Sequence, residues 1–200
     1  MYKRFLKRAF DVVASLMAIA VLSVPMLVIA LAIRIGGGGP VLFKQMRVGK
    51  GQKQFSILKF RTMRTDAPAD MPSGDPRDPE RWVTRLGTFL RRTSIDELPQ
   101  IFNILAGQMS FVGPRPVIPN EEELIAERDL YGANDVRPGL TGWAQINGRE
   151  TLTDTEKATL DGEYVRMLGS GFFRGILIDA RCIIGTVPTV IKSARKGRKN

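Results

Sequence analysis

The sequence lacks histidine altogether and contains a single cysteine, Cys182, among its 200 residues. One cysteine cannot form an internal disulfide, and without histidine the usual zinc sites and histidine-based catalytic triads are excluded. Any catalysis by this chain must therefore use carboxylates, lysine, arginine, hydroxyl groups or a hard metal ion. With 44% hydrophobic residues, a chain of this length is expected to form one compact core rather than two large domains.

Acidic residues are scarce at the two ends of the chain. Residues 1–64 contain 12 Lys and Arg but one acid, Asp11, and residues 192–200 contain five basic residues and no acid. Residues 65–191 contain 13 basic and 19 acidic side chains, so the middle of the chain is mildly acidic. Because the excess of positive charge lies at the two ends, the sequence favours attachment to an anionic membrane surface, and no nucleic-acid partner is predicted.

The longest stretch without charge is Val12–Ile33, with 22 residues. At about 1.5 Å per residue, such a helix is long enough to cross a hydrocarbon core about 30 Å thick. The run exceeds the apolar core of a signal peptide and is followed by basic residues, which disfavours cleavage. We therefore predict a membrane segment within residues 1–35.

Basic residues flank this segment on both sides, although positive charge prefers the cytoplasmic face of a membrane. Pro25 removes one helical hydrogen bond, to the carbonyl of Val21, and Ser23 can satisfy a freed backbone group. Two interpretations stay open. The segment is either re-entrant, bending at Ser23-Val24-Pro25 and returning to the cytoplasmic face, or a kinked helix that spans the bilayer.

The rest of the chain divides into a domain over residues 36–191 and a basic tail over 192–200. Gly36–Gly39 indicates a flexible break, and strand-like stretches on either side of Gly49–Gly51 predict a hairpin. Apolar residues at helical spacing predict a helix from Arg81 and another through Ile101 and Leu105. Residues 172–191 are apolar but interrupted by charges, which favours interfacial amphipathic helices. The expected fold class is α/β, predominantly helical, in a small membrane-associated domain.

The segment Thr93–Gln100, T-S-I-D-E-L-P-Q, places two carboxylates side by side at a predicted helix start. Ser94 followed by Glu97 fits a capping box. With Asp96 as N-cap instead, Pro99 falls in the first turn, where its missing N–H is not needed. In that register Asp96 lies at a helix N-terminus, which stabilises phosphate.

Two later segments present arginine next to proline or glycine. They are G-P-R-P at 113–116 and R-P-G-L-T-G-W-A-Q-I-N-G-R at 137–149. Rigid backbone lowers the entropy lost when a guanidinium group binds phosphate. Ordinary turns with solvated arginines explain the same pattern, so both interpretations stay open from the residues alone.

Five motifs in this order closely resemble the bacterial sugar transferases, in their small monotopic phosphoglycosyl transferase form. The motifs are the proline-broken apolar segment, K-F-R-T-M at 59–63, S-I-D-E-L-P-Q at 94–100, S-F-V-G-P-R-P at 110–116 and the segment 137–149. The resemblance implies transfer of a phospho-sugar from a UDP-sugar to polyprenol (undecaprenyl) phosphate with release of UMP. It also implies Mg²⁺ as cofactor and a place on the cytoplasmic face of the bacterial inner membrane.

The same resemblance assigns roles to individual residues. Asp96 becomes the nucleophile that forms a phosphosugar intermediate, Glu97 becomes its partner, and both are expected to lie at the metal. Substrate and phosphate contacts are expected from Lys59, Arg61, Arg91, Arg115, Arg137, Gln145 and Arg149, with loop bracing as the alternative for Arg61, Arg137 and Arg149. Trp143 is expected either at the uracil or sugar or as a core or membrane-interface anchor. The competing function is a nonenzymatic membrane-surface binding module in which the dyad only caps a helix.

Overall fold

The computed structural model describes residues 2–67, 79–148 and 151–196. The helices are α1 Lys7–Gly37, α2 Arg85–Thr93, α3 Gln100–Leu105, α4 Glu122–Leu130, α5 Trp143–Ile146, α6 Asp154–Gly169 and α7 Phe172–Lys196. The strands are β1 Leu42–Val48, β2 Gln54–Phe60, β3 Ser110–Val112 and β4 Gly139–Thr141. The described chain is mostly helical with small sheets, as predicted.

β1 and β2 form the predicted antiparallel hairpin, with Leu42 opposite Phe60 and Val48 opposite Gln54. β3 and β4 form a short parallel pair that joins the two arginine-bearing segments. Their backbones approach so closely that a Cβ on Gly113 would lie 2.3 Å from the Arg137 carbonyl oxygen. Only glycine permits this approach. The fold therefore brings the 113–116 and 137–149 motifs into one structural unit.

α1 is long and apolar enough to cross a membrane, and it is the one such helix among the described residues. It runs without interruption through Pro25, and the Ser23 hydroxyl donates to the carbonyl of Ala20 at 3.1 Å. The carbonyl that Pro25 leaves without a helical hydrogen bond is that of Val21. The Ser23 hydroxyl therefore bonds the carbonyl one residue before the freed one. A turn back at Ser23-Val24-Pro25 therefore stays a prediction.

Both ends of α1 pack on the same domain. Near the N-terminus, Arg8 donates to the carbonyls of Ile104 and Leu105, and Asp11 accepts from the hydroxyl of Ser110 at 3.0 Å. Toward the other end, a cluster of buried apolar residues joins α1 to β2 and α2: Met26, Ile33, Phe60 and Leu90. The helix thus lies along the domain, and most of its apolar side chains face outward.

Two arginines donate hydrogen bonds to the glycines at the end of α1. Arg34 donates to the carbonyl of Gly39 at 2.7 Å, and Arg61 donates to the carbonyl of Gly38. Gly38 and Gly39 both adopt positive φ, which glycine adopts without strain. Because α1 extends through Gly37, the break predicted at Gly36–Gly39 begins two residues later than expected, and its flexibility stays a prediction.

A buried polar cluster fastens the start of the chain to α6 and α7. Asp179 accepts hydrogen bonds from three side chains: Tyr2 at 2.7 Å, Lys7 at 2.6 Å and Tyr164 at 2.9 Å. Around it lies the largest apolar cluster, which includes Val112, Leu168 and Ile178. α7 turns this face inward and leaves an opposite face of exposed apolar side chains, as an interfacial helix requires: Phe173, Leu177, Ile184 and Val187.

Candidate active site

The two carboxylates lie between α2 and α3, in a 3₁₀ helix that runs from Ile95 to Glu97. The backbone of Ser94, just before this helix, adopts the left-handed conformation with a φ of 57°. The Ser94 N–H donates hydrogen bonds to the carbonyls of Leu90 and Arg91. Ser94 therefore ends α2 and makes no side-chain cap. Both capping predictions are wrong, because α3 begins only at Gln100, after Pro99.

Glu97 accepts from two cationic side chains on a single oxygen. Lys59 of β2 lies 2.8 Å from Glu97 Oε1, and Arg115 of the G-P-R-P segment lies 3.3 Å from the same atom. Burial favours protonation of Glu97, but Arg115 and Lys59 outweigh it and hold the pKa of this carboxyl at about 2. Glu97 is thus a fixed negative charge, and its Oε2 accepts no bond from the described side chains.

Asp96 is buried, with 8% of its surface exposed, and no described residue donates a hydrogen bond to its carboxylate from a side chain. Burial raises the pKa of Asp96, and the neighbouring charge of Glu97 adds to the rise. Lys59 and Arg91 act in the opposite direction. A carboxylate with raised basicity and no side-chain hydrogen-bond donor suits a nucleophile better than a structural anchor.

The K-F-R-T-M motif orients the side chain of Arg91. Its Nε donates to the hydroxyl of Thr62 at 2.8 Å. Thr62 is itself placed by a close approach, because a Cβ on Gly87 would lie 2.0 Å from the Thr62 carbonyl oxygen. The motif that contains Lys59 thereby also orients Arg91, and both cations lower the pKa of Asp96.

The other predicted contacts lie further from the dyad. Arg61 is bound to the glycine junction, and Arg137 donates to the carbonyl of Gly107 at 2.8 Å. These bonds match the bracing alternative for both residues. Arg149 lies outside the described residues.

Gln145 and Trp143 stand on α5. Gln145 donates to the carbonyl of Leu140 and borders a cavity that also contains Glu97 and Arg115 in its wall. Trp143 donates to Glu163 at 3.0 Å and packs against the main apolar cluster, which agrees with its alternative as a core anchor.

Three charged residues at the site were not predicted. Arg47 of β1 donates to the carbonyl of Pro116, and its pKa is lowered by burial and by the neighbouring charge of Arg115. Arg128 donates to the carbonyl of Arg115 and forms a buried ion pair with Asp161 at 2.6 Å. No local pattern marks this pair, since its members are 33 residues apart. Of the three residues, only Arg47 could have been found from the sequence, because it is a basic residue on the predicted hairpin that also carries Lys59.

The site thus combines two adjacent carboxylates with Lys59, Arg91 and Arg115, and the chain that builds it matches a known family from end to end. A profile of bacterial sugar transferases matches residues 2–193. The chain belongs to the bacterial sugar transferase family. The resemblance drawn from the motifs is confirmed.

Several relatives are similar over most of this chain. An undecaprenyl-phosphate glucose phosphotransferase of Komagataeibacter xylinus is 43% identical over 80% of this chain and 32% of its own length. A UDP-glucose:undecaprenyl-phosphate glucose-1-phosphate transferase of Escherichia coli (strain K12) is 41% identical over 82% of this chain and 36% of its own length. The chain therefore spans about a third of these two relatives. An exopolysaccharide production protein of Rhizobium leguminosarum bv. phaseoli is 41% identical over 91% of this chain and 93% of its own length.

Proposed function

We propose that the protein transfers a phospho-sugar from a UDP-sugar to polyprenol (undecaprenyl) phosphate, with Asp96 as nucleophile. The observation that carries the proposal is the contrast within the dyad. Glu97 forms ion pairs with Lys59 and Arg115, which offset its negative charge. The buried carboxylate of Asp96, by contrast, accepts no side-chain hydrogen bond from the described residues. The names of two relatives describe transfer of glucose or glucose-1-phosphate to undecaprenyl phosphate, so UDP-glucose is the first donor to test.

In the first step, an oxygen of Asp96 attacks the β-phosphorus of the donor. The bond between that phosphorus and the oxygen that bridges to the α-phosphate breaks, and UMP leaves. In the second step, a phosphate oxygen of the acceptor attacks the same phosphorus, and the bond to Asp96 breaks. The products are a polyprenyl diphosphate sugar and a free carboxylate on Asp96.

The cations of the site offset the charge that accumulates in both steps. A carboxylate that approaches a pyrophosphate is repelled, and positioned positive charge lowers this barrier. The site contains two carboxylates and three cations, which are Lys59, Arg91 and Arg115. Its net charge is therefore positive, which favours phosphate binding. Arg47, next to Arg115, adds a fourth cation.

The donor set also fits Mg²⁺. Both cations that contact Glu97 use Oε1, and Asp96 accepts no side-chain bond, so carboxylate oxygens of both residues are free to bind a metal. Magnesium commonly binds one or two carboxylates together with substrate phosphates. We propose that Asp96 and Glu97 hold Mg²⁺ with the donor, where the ion would neutralise phosphate oxygens.

The membrane placement belongs to the same proposal. Both ends of α1 contact one domain, so a helix that spans the bilayer would draw this domain into the hydrocarbon. A course within one leaflet avoids that cost and puts the exposed apolar faces of α1 and α7 in lipid. We propose that the enzyme sits on the cytoplasmic face of the bacterial inner membrane, where the phosphate of a lipid acceptor lies at headgroup depth.

The activity is tested with purified protein, a panel of UDP-sugars, Mg²⁺ and polyprenol phosphate, with UMP as the readout. We expect turnover with at least one donor. Without the lipid, we expect no more than one UMP per protein and a phosphosugar adduct on Asp96 by mass spectrometry. An adduct on another residue would refute the role of Asp96, and absence of UMP with every donor would favour the membrane-surface binding module.

Topology is tested by labelling engineered cysteines in intact and permeabilised cells. Phe5→Cys reports the start of α1, and Lys53→Cys reports the hairpin beyond its end. Cys182 is buried and stays unlabelled in the folded protein. We expect both positions to react only after permeabilisation, and opposite accessibility would establish a spanning helix.

A further inference from the structure

A cavity of about 280 Å³ lies between the dyad and α7. Part of its wall is polar and contains Ser94, Glu97 and Arg115. Most of the remaining wall is apolar: Leu98, Phe111, Leu140, Ile146 and Ile183. The cavity therefore suits a ligand with one charged end and a hydrocarbon body.

The hydroxyl groups of the two threonines in this wall are already engaged. The hydroxyls of Thr141 and Thr186 form a hydrogen bond with each other, and Thr186 also donates to the carbonyl of Cys182 at 2.6 Å. Gln145 donates to the carbonyl of Leu140, and its Oε1 is buried without a hydrogen-bond partner among the described residues. Arg115 is the cationic residue of this wall, so an anionic group of a ligand is expected beside Arg115.

A nucleotide sugar does not match this cavity. It carries a base, two sugars and two phosphates, each of which needs hydrogen-bond partners when buried. The volume is also at the lower end of the range for pockets that hold a whole drug-sized ligand, roughly 300–1,000 Å³. A polyprenol phosphate has one phosphate and a hydrocarbon chain, and only its first isoprene units need to enter.

The cavity is continuous with the surface that we assign to lipid. Ile183 borders the cavity and is itself 41% exposed, and its neighbours on α7, Ile184 and Val187, are 70% and 57% exposed. One helix thus forms both a wall of the cavity and part of the exposed apolar face. A hydrocarbon chain that enters the cavity from the membrane beside α7 would share the cavity with Arg115.

We propose that this cavity binds the phosphate-proximal isoprene units of the acceptor, and that Arg115 binds the acceptor phosphate. The inference rests on the proposed function. Arg115 contacts Glu97 through one nitrogen, and its side chain is 45% exposed, so further N–H donors can face a phosphate. The acceptor oxygen then lies beside the dyad, where it attacks the phosphorus on Asp96 and releases the carboxylate. Glu97 lines the cavity, whereas its neighbour Asp96 does not.

The first test uses two neighbouring residues of α7. Ile183→Phe fills the cavity, whereas Ile184→Phe makes the same change on the exposed face. For Ile183→Phe we expect the KM for polyprenol phosphate to rise about tenfold, since overpacking excludes the chain. The KM for the UDP-sugar and the lipid-free burst of UMP should not change. Ile184→Phe should match the unaltered protein in all three measurements.

The second test does not depend on turnover or on a variant that folds. A short-chain polyprenyl phosphate with a diazirine on its first isoprene unit is irradiated with the unaltered full-length protein. We expect crosslinks to peptides that contain Leu140 or Ile183, and we expect polyprenol phosphate, but not UDP, to compete.

Several outcomes would overturn the inference. A higher KM for the UDP-sugar in Ile183→Phe, or competition by UDP, would assign the cavity to the donor. Equal kinetics for Ile183→Phe and Ile184→Phe, or crosslinks only to α1, would leave the acceptor elsewhere. Failure of the proposed function is distinguishable, because the unaltered protein would then release no UMP whatever the crosslinks show.

Discussion

Asp96 and Asp179 are almost equally buried, with 8% and 6% of their surfaces exposed, but their surroundings are opposite. Asp179 accepts hydrogen bonds from Tyr2, Lys7 and Tyr164. Asp96 accepts none from a described side chain, although Lys59 and Arg91 lie near enough to influence its pKa. A buried carboxylate that accepts several side-chain hydrogen bonds and pairs with a cation holds the fold together, whereas one without side-chain donors destabilises the fold and is available for chemistry.

The largest effect is expected for Asp96→Asn. Without the carboxylate no phosphosugar adduct can form, and we expect kcat to fall by a factor on the order of 10³ or more. The measurement is UMP release with polyprenol phosphate present. Substantial activity in Asp96→Asn would show that the nucleophile is a different residue.

The same variant should not lose stability. The pKa of Asp96 is raised in the folded state, so the folded chain binds this proton more tightly than the unfolded chain. The stability contribution of the group therefore declines as pH rises from the unfolded value of about 3.9 through the folded pKa. At pH 7 the neutral amide should leave the unfolding temperature in detergent equal or higher, and a clear decrease would contradict this account of the site.

The reverse outcome is expected for Asp179→Asn. The change leaves the Lys7 ammonium buried without its charge partner, which should lower the free energy of unfolding by about 3 kcal/mol. UMP release per folded molecule should stay within a few-fold of the original. Lys7→Met combined with Asp179→Asn removes both charges and should recover part of the loss. No recovery in this double variant would mean that the ion pair is not what stabilises the cluster.

This contrast between the two aspartates could not be predicted from the sequence. Asp179 and Lys7 are 172 residues apart, and the pattern placed Lys7 and Arg8 in the basic flank of a membrane segment. In the structure, Lys7 is buried and forms an ion pair with Asp179, and Arg8 donates a hydrogen bond to a backbone carbonyl at the end of α3. Charge statistics identify a flank, but they do not show which of its members fold back onto the protein.

Local features were predicted more successfully. The hairpin follows from two strand-like stretches around Gly49–Gly51, and the family follows from motifs that can be read directly in the chain. The caps near the dyad were missed because Ser94 serves the helix before it rather than the one after it. A serine three residues before glutamate is compatible with both roles, and tertiary packing decides between them.

A fourth prediction concerns the effect of Arg91 on the pKa of Asp96 while the carboxylate itself is kept. Arg91 lowers the pKa of Asp96, so Arg91→Gln should raise it further and move the acidic limb of the rate of adduct formation to higher pH. The sign follows because only the deprotonated carboxylate attacks. Arg92→Gln, which removes the neighbouring arginine, is the matched control. Equal pH profiles for the two variants would show that Arg91 does not act on the nucleophile.

The smallest effect is expected for a carboxylate that is partly exposed and ion-paired. Asp154 pairs with Lys157 at 2.7 Å on α6, with 42% and 32% of the two side chains exposed. Water screens such a pair, so Asp154→Asn should lower the free energy of unfolding by about 0.5 kcal/mol or less and leave UMP release unchanged. Denaturant titration beside Asp179→Asn measures the difference directly. A loss for Asp154→Asn as large as that for Asp179→Asn would mean that burial does not explain why Asp179 stabilises the protein, and the comparison with Asp96 would lose its physical basis.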